Sequence, residues 1–494
     1  MRRKLPKEIA EHQGAYDLSP SGTREPLLDV TIGLECITPV IGGGVRAREP
    51  DTVDIVRVSG IRGQLRFWWR ALGSEPDPTT LFANEVRIWG GVSGGANGAA
   101  VASRVRVSIE KVDDEGKSFP AGMHERKRDG RGLKPMPTWD PRCRDLGYGM
   151  FPLQRNKIEL DDAPDSGQHP TWEVRSGLRF TLRLHLRSAV AGESSKDDQD
   201  DVERILWTLW AWIHFGGIGG RTTRGFGALA PTANVTSLPS AWTQRFTRPR
   251  SSDATAWLLS SWQQGPMRCT APPGAAGWTH FSGSQLAVGA AMDEGKAHSM
   301  LLNKLRMFRQ GVPMGRVEST RGKPAGRSQW PEPDVLRVHA ESAKRAIQWA
   351  HTPSPATRAL ISPTPTSTEW IPPRAAFGLP IVVKFMDDRD SPAEATIGLD
   401  RPGGRWMSPL RLRPIACSDG KHIPVALLFS TRPWSCARDS ITVDGKPIYL
   451  KVGAAQPGPT GPIASDGWMA RGSGDAARAF FEWLRADRTF RRRP

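Results

Sequence analysis

Two stretches of alternation frame the first half of the chain. In LLDVTIGLECITPV, Val30, Ile32 and Leu34 alternate with Thr31, Gly33 and Glu35. That period of two marks a strand with one buried face. TWEVRSGLRFTLRLHLRS alternates in the same way. Between them, VRVSGIRGQLRFWWRAL changes to helical spacing. At about 100° per residue, Ile61, Leu65, Trp68 and Leu72 fall on one stripe, and Ser59 is placed to cap the helix start. ANEVRIWGG and SRVRVSIEKV read as strands. The acidic ESSKDDQDDVE then leads into an almost wholly apolar helix over 202–215, where negative charge suits the N-terminus. This order predicts an α+β fold, compatible with a βαββαβ ferredoxin-like unit that carries a long insertion or mobile arm at 112–170.

The second half is less regular. PTANVTSLPSAWTQRFTRPRSS reads as a linker. After it come a basic stretch at 301–330, helical spacing near 334–350 and a Pro/Ser/Thr-rich segment. FGLPIVVKFM, SPLRLRPIA and IPVALLFS are strand candidates, and GDAARAFFEWLRA is a closing helix. At 494 residues the chain exceeds one ordinary core. The expected division is a polar segment 1–26, a first domain 27–235, a linker 236–256 and a second domain 257–494.

Charge narrows the partners. Lys plus Arg is 68 against 51 Asp plus Glu, a formal net charge of +17. That balance points to a polyanion, either nucleic acid or an acidic membrane surface. The five cysteines are odd in number and form no CxxC pair, so neither a zinc site nor a disulfide framework is indicated. Reduced thiols and a cytoplasmic location fit this pattern. The N-terminus lacks the apolar core of a signal peptide, and no apolar run is long enough to span a bilayer.

Four groups of residues carry candidate chemistry, and all four suit phosphate. Arg62, Arg66 and Arg70 form a row centred roughly 130° from the apolar stripe of their helix, with Trp69 at its border. No carboxylate lies on that row, whereas an ordinary exposed helix mixes signs. TPVIGGGVRAR places Gly42, Gly43, Gly44 and Arg46 directly after a strand, where successive N–H groups can form an anion-holding nest. It is not a Walker sequence. GGIGGRTTRGFGAL, residues 216–229, holds six glycines with Arg221 and Arg224. A helix cap needs one glycine. The remainder, Gly219 and Gly220 among them, therefore predict close approach of another backbone, that of RNA or of a partner. From 301 to 330, Lys304, Arg306, Arg309, Arg316, Arg321, Lys323 and Arg327 face Glu318 alone, with glycines interleaved. That composition suits a phosphate chain.

ITPVIGGG, IRGQLRFWWRAL and GGIGGRTTRGFGAL, in this order, resemble the RAMP (repeat-associated mysterious protein) superfamily. Within it they resemble the first-numbered RAMP subunits of type III-B CRISPR, or Cmr, effector complexes. LRMFRQGVPMGR, GRSQWPEPDVLR, SPLRLRPIA and VALLF are similar to the same group. The resemblance implies two ferredoxin-like, RRM-related domains. It implies a ribonucleoprotein in which guide RNA binds complementary target RNA, with this subunit near the 3′ end of the guide and beside another RAMP subunit. The insertion at 112–170 departs from the pattern.

Catalysis has little support in the sequence. His214 sits at an aromatic helix end and His185 on an alternating strand, and both read as structural. The carboxylates of DDRD at 387–390 read as a turn. The polymerase-type GGDD and the nuclease-type HD are absent. The expectation is a non-catalytic RNA-binding subunit in antiviral defence, with no metal and no cofactor. The rivals are a metal-independent endoribonuclease that processes guide RNA and a scaffold that touches only protein. Nineteen tryptophans is a high number. Those beside glycine or arginine (Trp69, Trp89, Trp330, Trp406) are expected to face partners.

Overall fold

A computed structural model describes residues 26–45, 48–92, 100–114, 118–127, 132–134, 136–155, 160, 167–188, 196–236, 238–269, 279–310, 330–333, 335–336, 361–362, 368–369, 372–384, 394–399, 405–430, 441–443, 446–447, 449–450 and 476–490. The first half is built on a four-stranded antiparallel sheet. Its strands are Leu28–Cys36 (β1), Val105–Asp114 (β2), Leu178–Leu186 (β3) and Leu229–Thr236 (β4), in the spatial order β2-β3-β1-β4. Helices Val58–Ala71 (α1) and Pro78–Trp89 (α2) connect β1 to β2, and helix Lys196–Phe215 (α3) connects β3 to β4. The predicted alternation is the observed one. Val30, Ile32, Leu34, Phe180, Leu182 and Leu184 are buried in one core cluster with Ile61, Leu65 and Trp68 of α1.

ANEVRIWGG is helical, not a strand. The signals that decide this lie upstream of it. Asp77 accepts hydrogen bonds from the Thr79 and Thr80 N–H groups at 2.8 and 2.9 Å, and Pro78 occupies the first turn. Leu81, Glu85, Ile88 and Trp89 then fall on one buried face.

The second half begins with helix Ala254–Gln264 (α4). It continues with strands Gln285–Val288 (β5) and Met292–Asp293 (β6), helix Lys296–Arg309 (α5), the hairpin Leu410–Ala416 (β7) and Lys421–Leu428 (β8), and helix Ala476–Ala486 (α6). β5 and β6 pair with one edge of β8, and β7 pairs with the other. β8 is buried on both faces. Ile423, Val425 and Leu427 join the first-half core. Ala426 and Leu428 join a second cluster with Leu301, Leu305 and Phe308 of α5 and Phe480 of α6. A third cluster surrounds strands Ile381–Lys384 and Glu394–Leu399.

β7 explains how the halves are joined. Leu410 and Leu412 face the second cluster, which turns Arg411 and Arg413 toward the first half. The Arg411 guanidinium lies over the rings of Phe67, Trp68 and Phe429, at 4.9, 5.2 and 5.9 Å from their centroids. Arg413 donates to the Ile213 carbonyl at 2.5 Å and to the Leu229 carbonyl at 3.0 Å. The Ile213 carbonyl belongs to the last turn of α3, where the helix dipole favours a cation.

The insertion at 112–170 is largely folded, which corrects the expected mobile arm for its described residues. Cys143, Leu146, Met150 and Leu153 bury themselves against Ile41, Val174, Phe226 and Leu302. Its apolar residues pack on the glycine stretch and on α5, a contact between distant parts of the sequence. Tryptophans expected to face partners are also interior: Trp69, Trp89 and Trp330 are each 1% exposed or less. The basic stretch from 301 begins as helix, with Lys304 paired to Asp487 at 2.5 Å.

The shared core has a measurable consequence. Leu427→Ala should cost about 3 kcal/mol. Tryptophan fluorescence and far-UV circular dichroism should move together to lower urea. A tryptophan transition left at its wild-type midpoint would contradict a core common to both halves.

Candidate nucleic-acid interface

The glycine stretch leaves α3 through a closed turn, in which the Gly216 N–H donates to the Trp212 carbonyl at 2.8 Å. It then folds back on its own chain. Ile218 N–H donates to Gly227 O at 3.0 Å, Gly220 N–H to Ile41 O at 2.7 Å, and Gly227 N–H to Pro39 O at 2.9 Å. Gly227 has φ of +59°, and a Cβ there would stand 2.0 Å from the Ile218 carbonyl oxygen. At Gly225, with φ of +82°, a Cβ would stand 2.8 Å from the Leu412 carbonyl oxygen of β7. Close approach of a backbone was expected here. Among the described residues, the backbone that makes this approach is the protein's own.

The first glycine loop meets this stretch. Gly42, Gly43 and Gly219 line a cleft of about 480 Å³ at the N-terminus of α1, and none of the described residues that line it is acidic. Arg57, not Ser59, is the capping residue of α1, and its side chain makes no cap hydrogen bond. Gly44 turns away, donating its N–H to the Glu49 carbonyl at 3.2 Å. Gly220 bridges to Ile41 just beyond the cleft. Arg46 lies outside the described residues.

The arginine row of α1 is not an unpaired cationic face. The missing carboxylate comes from α2: Glu85 accepts from Arg66 at 2.6 Å and from Arg70 at 2.5 Å. Arg62 donates to the Trp89 carbonyl, and to the Val105 carbonyl at 3.1 Å. Trp69 is interior, its ring covered by the Arg204 guanidinium at 3.4 Å. Arg204 is itself paired with Glu75 at 2.5 Å. The three predicted phosphate contacts and the bordering Trp69 therefore brace α1 against its neighbours.

Arg221, Arg224 and Arg309 behave differently. Arg221 has φ of +62° and donates Nε to the Gly149 carbonyl at 3.1 Å. Arg224 is buried and reaches across to the second half, donating to Leu410 O and Phe377 O at 3.3 Å. It cannot meet RNA while so engaged. Arg309 ends α5, lies over the Phe377 ring at 5.6 Å, and has a buried Nε without a hydrogen-bond partner. Among the described residues no carboxylate acts on Arg221 or Arg224. Burial, then repulsion from Arg309, pushes Arg221 down to about 10 and Arg224 down to about 9. Both remain charged at neutral pH. Arg316, Arg321, Lys323 and Arg327 lie outside the described residues.

The open face of the first sheet lacks, among the described residues, the aromatic side chains of an RNA-stacking platform. Its described side chains include Asp29, Thr31, Glu35, Arg106, Ser108, Lys111, Asp113, Arg179, Thr181, Arg183 and His185, and no Phe, Tyr or Trp is among these. Arg183 forks onto Asp29 at 2.8 and 2.6 Å, and Glu35 pairs with Arg248 at 2.7 Å. RRM sheets bind by aromatic stacking, which this face does not offer. His214 is buried, its ring nitrogen on the Trp210 carbonyl at 2.8 Å, and burial pushes it down to about 3. Among the described residues no group of His, Cys, Asp and Glu could hold a metal ion, and no helix is long and apolar enough to cross a membrane.

Tyr148 and Phe151, beside Arg221, were missed in the sequence because they lie in the insertion. The only local signal is GYGMF, aromatic residues set among glycines.

Two outcomes follow from this geometry. Gly227→Ala should lose more than about 2 kcal/mol of stability, because strain and clash combine; a urea midpoint within error of wild type would refute the tight crossing. His214 and His298 are held neutral by burial, down to about 3 and about 4. Their folded pKa values lie below the unfolded value. Stability is therefore full above about pH 6.5 and falls below it, by up to about 1.4 kcal/mol per pH unit for each histidine. Urea unfolding at pH 7.5 and 5.5 should show the loss, and His214→Gln should reduce it.

Residues 33–230 match the RAMP superfamily. No curated protein matches the chain. A crystal structure of apo Cmr1 from Pyrococcus furiosus is 15% identical, with a TM-score of 0.38, over 82% of this chain and 89% of that one. A chain of type III-B Cmr-beta bound to cognate target RNA is 13% identical, with a TM-score of 0.42, over 86% of this chain and 96% of that one. The same assembly with AMPPnP and single-stranded DNA gives 12% identity and a TM-score of 0.41, over 93% and 99%. The matched family segment runs from the middle of β1 to the start of β4 and takes in β2, β3 and both glycine loops.

Proposed function

We propose that this chain is a non-catalytic RNA-binding subunit of a type III-B CRISPR effector ribonucleoprotein. It contacts guide RNA, target RNA or both near the 3′ end of the guide, beside other RAMP subunits. The RAMP match over residues 33–230 supports the family setting. The observation that carries RNA binding is the cation group at the rim of the glycine stretch. Arg221 and Arg309 come from different halves, the charge of Arg309 acts against that of Arg221, and no carboxylate among the described residues acts on Arg221. A polyanion relieves that repulsion. The cleft at Gly42, Gly43 and Gly219 adjoins the same stretch, and the described residues of its wall include no acidic group.

We also infer a second ferredoxin-like unit. In the second half the strand order β5/β6-β8-β7, with α5 after the first strand and α6 after the hairpin, corresponds to the first, third and second strands of a βαββαβ series. Buried, neutral His214 supports a non-catalytic role, since a general base needs a pKa near the working pH and access to substrate.

Salt titration tests the RNA reading. Binding of a fluorescein-labelled single-stranded RNA should weaken linearly in log K against log salt. The slope should fall by about 0.7 for each phosphate contact removed. Arg221→Gln with Arg309→Gln should flatten it by about 1.4. An unchanged slope in a folded double variant would remove this cluster from the RNA site. The RNA should stay intact with and without Mg²⁺.

A further inference from the structure

The folded insertion presents one aromatic ring to solvent beside the cation group. Phe151 is 53% exposed, while Met150 and Leu153 on either side are fully buried. Those two neighbours anchor the turn to Phe226 and Leu302. The ring is thus held at the surface by a fixed backbone. Among the described residues the large exposed hydrophobic side chains include two aromatic rings, Phe82 and Phe151. Phe82 lies on α2. Phe151 carries the Arg221 guanidinium over its ring, 5.1 Å from the centroid. Arg221 is locked there by its bond to Gly149.

A nucleotide has two recognisable parts, a flat base and a charged phosphate. A ring with an uncompensated guanidinium beside it offers a partner for each. Among the described residues, the open face of the first sheet presents no aromatic side chain to do this instead. In a duplex the base faces are stacked on one another, so only an unpaired base can reach the ring.

We propose that Phe151 is a stacking platform for an unpaired base of single-stranded RNA, with the adjoining phosphates on Arg221 and Arg309. This rests on the RNA-binding reading above and names the form of RNA and the element that selects it. The selecting element belongs to the insertion, not to the glycine motifs.

The full chain is titrated by fluorescence anisotropy with a labelled 12-nucleotide single-stranded RNA and with the same strand annealed to its complement. Phe151→Ala should weaken single-strand binding about tenfold, the effect of losing one base stack. Its salt slope should stay at the wild-type value, because no phosphate contact is lost. Duplex binding should not change, and Phe151→Tyr should retain single-strand affinity. Single-strand affinity within twofold of wild type in Phe151→Ala overturns the platform, as does equal weakening of single strand and duplex. Failure of the wild-type chain to bind either RNA in a salt-dependent way sinks the RNA-binding reading itself, and the platform with it.

Discussion

Three buried arginines, none of them paired with a carboxylate among the described residues, hold the two halves of this protein together. Arg411 sits among Phe67, Trp68 and Phe429, Arg413 donates to the end of α3, and Arg224 runs the opposite way to carbonyls of the second half. Taking a guanidinium out of water is costly, and a lone buried charge would ordinarily need an ion partner. Here aromatic faces and carbonyl dipoles replace it. Each contact needs both halves in place. The halves are therefore coupled through charge as well as through the core that Ile423, Val425 and Leu427 share with α1 and α3.

That coupling fixes the glycine stretch. Its carbonyls and N–H groups bond to the strand end at 37–41, and Gly225 lies under β7 so closely that no side chain fits. Most of what made the stretch look like a ligand loop serves this packing. What remains for a ligand is at its rim, where the part-buried Arg221 lies over the Phe151 ring and Arg309 ends α5. The net charge of +17 is unevenly available: the α1 row and the sheet face spend their cations on Glu85, Asp29 and Glu35.

The insertion changes meaning in this setting. Its described part is a third piece of the fold that braces the glycine stretch from outside, through Met150 and Leu153 against Phe226. By doing so it sets an exposed aromatic ring next to a cation. Neither group would have a fixed position alone, since Arg221 takes its orientation from Gly149 and the Phe151 turn takes its own from Phe226.

The sequence by itself determined the elements with strong periodicity. The strands 28–36 and 178–186, the apolar stripe of α1 and the long α3 were legible because burial on one face imposes a period that needs no knowledge of the partner. It also determined that glycine at 216–227 serves a close backbone contact. Tertiary structure decided which contact. ANEVRIWGG became helix because Asp77 capped it from upstream, and the arginine row lost its freedom to a carboxylate on another helix. Arg411 and Arg413 went inside because Leu410 and Leu412 had already claimed the other face of β7. Pairing between residues far apart in the chain leaves no periodic trace, so the sequence showed which groups carried charge, and only the fold decided which of those charges were left without a partner.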